Sequence, residues 1–94
     1  MGVVFEWDSR KAGSNRAKHG VTFEEATTVF GDALSLTIID PRHMRPAEER
    51  FVTIGHSRFG RLLVVVHRDD GDSVRIISAR KATRRERKDY EEGT

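Results

Sequence analysis

The stretch "LLVVVHRDDGDSVRIISA", residues 62–79, decides the fold. Leu62 to Val66 is apolar at every position, so an extended segment here would present apolar side chains to both sides. That is the signature of a central strand, not of an edge. Asp69-Asp70-Gly71-Asp72 is a hairpin turn signal, and Val74 to Ala79 is the returning strand.

Moving outward from the hairpin, Thr83-x-x-Glu86 is a capping box that opens a closing helix to about Glu92. Upstream, Phe51 to Ile54 reads as a strand, with a turn at Arg58-Phe59-Gly60. Leu34 to Ile38 alternates and reads as a half-buried strand. The polar loop between them, after Asp40-Pro41 and through Glu49, is the longest irregular stretch. Near the N-terminus, Val3 to Trp7 is a short first strand. Asp8 or Ser9 then caps a helix from about Arg10 to His19, stopped by Gly20. Thr22 with Glu25 forms another capping box, predicting a second helix from Phe23 to about Phe30 with Phe23, Ala26 and Phe30 on its apolar face. Grouped helices followed by consecutive strands define an α+β fold. The short first strand and two helices pack on a mostly antiparallel sheet, and a C-terminal helix closes the chain.

Residues 1–94 form one domain, too short for a second core. The apolar share is 36% and the charged share 34%, so a core depends on clustering of the apolar residues. The chain contains no cysteine, which excludes disulfides and thiolate metal sites. There is no membrane-length apolar run and no signal-peptide pattern, and a soluble protein of the cytoplasm is expected.

Charge is distributed unevenly. Residues 1–40 carry a balance of −2 while the whole chain is +2. Between Arg75 and Lys88 there are seven basic residues and one acid, Glu86. Arg84, Arg85 and Arg87 lie at the N-terminal end of the closing helix, where the helix dipole is already positive. Local stability gives no reason for that placement, so a polyanion or an acidic protein partner is implied.

No serine nucleophile motif, glycine-rich phosphate loop or EF-hand is present. His43, Glu48 and Glu49 share one loop, which is a poor basis for a metal site, and no metal or cofactor is expected. What remains is a set of basic side chains near element ends: Lys18 and His19, Arg50, His67, Arg75 and Arg80. Each has a bland alternative. Lys18 and His19 favour the negative end of a helix dipole, Arg50 follows two glutamates, and His67 can be a core-edge histidine. Arg75 and Arg80 are an odd number of positions apart, so a regular strand turns them to opposite sides. Together, such residues suit attack of an RNA 2′-hydroxyl on the adjacent phosphate, which needs proton transfer and cations around the phosphorane.

The segments "FEWDSRKAGSNRAKHGVTFEEATTVF", "DPRHMRPAEERFVTIG" and "RIISARKATRRERKDYEE" together resemble the BrnT family of toxins, from Phe5 to about Glu92. That family belongs to type II toxin–antitoxin systems and is similar in fold to the RelE ribonucleases. The resemblance implies a ribosome-independent endoribonuclease that lowers translation. It also implies neutralisation by a BrnA-like ribbon-helix-helix antitoxin, through which alone operator DNA would be bound. By the matching motifs, the resemblance points to Lys18, His19, Arg50 and Arg80, with His67 and Arg75 in matching segments. A non-catalytic binding module, acting as antitoxin partner and co-repressor, is the alternative.

Overall fold

The structure is a computed structural model and describes residues 2–93. Its elements, in chain order, are β1 (Val4–Glu6), α1 (Ser9–His19), α2 (Phe23–Thr27), a 3-10 turn (Thr28–Gly31), β2 (Leu36–Ile39), β3 (Phe51–His56), β4 (Leu62–Asp70), β5 (Ser73–Lys81) and α3 (Arg84–Glu92). The expected α+β architecture is present. One five-stranded sheet has the order β1-β5-β4-β3-β2. All neighbours are antiparallel except β1 and β5, so the sheet is mixed.

The caps form where the sequence places them. The Asp8 side chain accepts from the Arg10 and Lys11 amides at the start of α1, and Gly20 takes the left-handed conformation at its end (φ +70°). Thr22 caps α2 through the Glu25 amide, but the expected reciprocal bond is missing because the Glu25 carboxylate accepts from Ser57 and Arg61; both bonds of the Thr83–Glu86 capping box open α3. The second helix is shorter than expected and tightens into a 3-10 turn at Thr28. There the Thr27 and Thr28 hydroxyls donate back to the Glu24 and Glu25 carbonyls, each at 2.7 Å. Such back-bonding competes with regular α-helical pairing.

α1, α2 and the 3-10 turn cover one face of the sheet. Val21, Phe23, Ala26 and Val29 pack there against Leu63, Val65, Ile76 and Ala79 to make the core. Gly55 lets the 3-10 turn approach: a Cβ at that position would lie 3.0 Å from both Val29 and Ser35 side-chain atoms. α3 lies across the second face, which it covers only in part. Rows of side chains cross that face in the order Leu36, Ile54, Val64, Arg80, and beside them Ile38, Val52, Val66, Ser78.

β4 and β5 are both longer than their apolar stretches, because pairing carries the polar residues through Arg68 and Asp70. Within this ladder, Val66 faces Ser78 but His67 faces Ile76, so Ile77 is an extra residue in β5. This bulge corrects the expectation for Arg75 and Arg80. One inserted residue reverses the alternation, and both arginines stand on the second face.

Candidate functional site

The position of α1 is set by Asn15, which is buried. Its carboxamide nitrogen donates to the Ala79 carbonyl (2.7 Å) and the Val21 carbonyl (3.0 Å), and its oxygen accepts from the Ala79 amide (3.1 Å). β1 pairs with β5 only from Ser73 to Arg75, so beyond it the Asn15 side chain does the work of a neighbouring strand. This pinning brings the C-terminal turn of α1 against the edge of β5. A groove of about 220 Å³ forms there, lined by Lys11, Ser14, Lys18, His19, Ile77 and Ser78 together with Asn15. Lys18 and His19 are therefore together, at a sheet edge.

Arg80 is not in that lining. It is two residues beyond Ser78 and directed to α3, where both terminal nitrogens donate to Glu86 at 2.8 Å. The pair holds the Glu86 carboxyl down at about 2, with the capping-box amide of Thr83 helping. The expected convergence of His19 and Arg80 in a single cleft is corrected accordingly. Strand alternation and the Glu86 pair turn the guanidinium onto the second face, while the imidazole stays at the edge.

His67 is 2% exposed and packs between aromatic rings, edge-on to Phe30 and stacked with Phe51. Its Nδ1 is 2.7 Å from Asp69 and its Nε2 is 2.7 Å from the Thr53 hydroxyl. Burial lowers its pKa, against the opposing pull of Asp69. A neutral ring donating from Nδ1 to the carboxylate and accepting at Nε2 satisfies both contacts. As a candidate proton-transfer group His67 is corrected: both nitrogens are engaged inside the core, where a phosphodiester has no access.

Arg75 is opposite Arg68 in the β4–β5 ladder, and β3 pairs with β4 as far as Phe51–His67, which leaves Arg50 next in register toward Arg68. Three arginines thus form a row across the second face, remote in register from Arg80. Directly opposed like charges on a sheet cost roughly 0.2–1 kcal/mol. Relief is slight: Arg75 is 3.8 Å from Glu6, and Arg68 reaches the Ala47 carbonyl only at 3.5 Å.

Sequence reasoning missed Asn15, Arg68 and His56. Arg68 stood between the apolar strand and the turn signal, and the only signal for Asn15 was a polar residue inside a helix. His56 contacts the Tyr90 hydroxyl (3.2 Å), which in turn donates to Asp32 (2.7 Å). The bond to Asp32 and burial push the Tyr90 phenol up to about 12. This cluster fastens the otherwise polar α3 to the sheet. Among the described residues, no three His, Asp or Glu side chains converge as a metal site, and no helix is long and apolar enough to cross a membrane.

The arrangement of two helices on one face of a mixed sheet and a strapping helix on the other is shared with a protein of known structure. The crystal structure of the Brucella abortus ribonuclease toxin, BrnT, superposes with a TM-score of 0.60 at 23% identity, covering 89% of this chain and 99% of that one. No match is found among curated proteins. The family model for the ribonuclease toxin, BrnT, of type II toxin–antitoxin systems matches residues 7–86. The chain belongs to the BrnT family.

Proposed function

We propose that the chain is a metal-independent endoribonuclease that cleaves RNA through attack of the 2′-hydroxyl on the adjacent phosphate, inhibits translation and arrests growth in the cytoplasm. A BrnA-like ribbon-helix-helix antitoxin neutralises it, and the complex represses its own operon by binding DNA through the antitoxin. The observation that carries the catalytic reading is the pairing of Lys18 and His19 in the groove at the β5 edge. Imidazole transfers protons near neutral pH, and an ammonium beside it stabilises charge growing on the phosphorane.

The test is cleavage of an RNA by the purified protein in the presence of a chelator. Undiminished cleavage yielding a 2′,3′-cyclic phosphate supports the reading, and loss of about 10²-fold or more is expected in His19→Gln. Metal dependence, or an unaffected H19Q variant, rejects it. The burial of His67 and the occupation of Arg80 by Glu86 favour the second reading, a non-catalytic co-repressor. Expression without antitoxin separates the two, because a non-catalytic protein is tolerated.

A further inference from the structure

We infer that the cross-strand row Arg50–Arg68–Arg75 is a phosphate-binding track for single-stranded RNA, with Arg68 at its centre. The inference rests on the reading of RNA as the substrate and adds to it a binding surface separate from the Lys18–His19 groove. The register is the first support. Arg68 and Arg75 are direct partners across β4 and β5, and Arg50 immediately precedes Phe51, whose pairing with His67 is the last of the β3–β4 ladder. The backbones that carry the three arginines are neighbouring strands about 4.8 Å apart.

The second support is the absence of neutralisation. Among the described residues neither Arg50 nor Arg68 has an ion-pair partner, and Arg75 has only the loose, exposed contact with Glu6. Arginine forks match phosphate oxygens bidentately, so a polyanion laid along the row supplies the counter-charge that the sheet lacks. The third support is the neighbouring row. Ile38, Val52 and Val66 lie beside the arginines on the same face, and Ile38 is 62% exposed. Bases splayed from a single strand have flat apolar faces that can rest on such a strip while their phosphates follow the arginines.

The experiment is fluorescence anisotropy with a labelled 2′-O-methyl RNA, which cannot be cleaved because its nucleophile is blocked. Binding by wild type, Arg68→Gln, Arg75→Gln and the control Arg10→Gln is measured between about 50 and 200 mM salt. Arg10 is exposed on α1 and belongs neither to the groove lining nor to the arginine row. R68Q and R75Q are each expected to weaken binding roughly tenfold at the low-salt end, and to flatten the dependence of log K on log salt by about 0.7. R10Q is expected to match wild type. Melting temperatures at or above the wild-type value show that lost binding is not lost folding. If R68Q unfolds, R75Q alone decides.

Affinity and salt slope unchanged in the folded variants overturn the track while leaving the ribonuclease reading intact. A wild-type protein that binds no RNA overturns both. RNA binding unchanged but antitoxin binding weakened would assign the row to a protein partner and overturn the track.

Discussion

Replacing Asn15 with alanine tests whether one side chain fixes the helix that carries Lys18 and His19. The substitution removes three buried hydrogen bonds, to both backbone groups of Ala79 and to the Val21 carbonyl. A typical intramolecular hydrogen bond has a net worth of ~1 kcal/mol, and a buried group left without a partner costs ~1–3 kcal/mol. Water can reach part of this edge, so the expected loss is about 3 kcal/mol, toward the lower end of what those figures allow together. A chain of this size has an overall stability on the order of 5–14 kcal/mol, so the variant folds but with a markedly reduced margin. Urea denaturation at pH 7 measures the loss. Asn15→Asp sharpens the test, because a carboxylate still accepts from the Ala79 amide but opposes two carbonyl oxygens. It is expected to be worse than N15A at neutral pH. Relative to wild type it should recover as pH falls and the buried carboxyl takes up a proton, since burial raises such a pKa and the penalty exists only for the charged form. A loss under ~1 kcal/mol in N15A would refute the claim that the carboxamide substitutes for a strand.

Glu86 should shape the acid limb of stability. Its carboxyl is drawn from 4.5 to about 2, so its contribution is complete above 4.5 and fades as pH falls toward 2. The shift sets a ceiling near ~3 kcal/mol, and because Arg80 is 40% exposed, screening reduces the expected effect to ~1–2 kcal/mol. In Glu86→Gln, stability should be lower at pH 7 and should change less between pH 4.5 and pH 2, as followed by thermal melts; equal slopes would contradict the assignment. Thr53→Val removes the donor to the buried His67 Nε2 and is expected to cost ~1–3 kcal/mol, read from urea midpoints. His67 itself should draw stability down as pH falls below 6.5, because its lowered folded pKa means the unfolded chain takes up the proton first. Loss of that slope in a folded His67→Gln protein is the check. Tyr90→Phe deletes the hydroxyl that links α3 to Asp32 and His56. Amide exchange across α3 should accelerate while the core strands stay protected, and uniform protection would count against the strap.

The helix caps, the hairpin and the central strand were legible because each is a local matter of spacing. Thr83 with Glu86 closes a full capping box and Thr22 caps its helix, but the Glu25 carboxylate is taken by Arg61 and Ser57 from distant parts of the chain; Leu62 to Val66 needs cover on both sides in any arrangement. The grouping of Lys18 with His19 follows from their adjacency. What they would stand beside did not follow, since the groove depends on Asn15 meeting Ala79 across most of the chain.

The sequence by itself determined the α+β class, the helix boundaries set by caps, and the concentration of basic charge toward the C-terminus. Tertiary structure alone decided where that charge points. A single extra residue at Ile77 inverted the alternation of β5 and brought Arg75 to the face of Arg80, and strand pairing set Arg68 opposite Arg75. It also enclosed His67 within the core and gave Arg80 to Glu86. The physical reason is that caps and alternation are properties of neighbouring residues. Register, bulges and burial depend on which distant segments pair, and the free energy of that pairing belongs to the whole sheet.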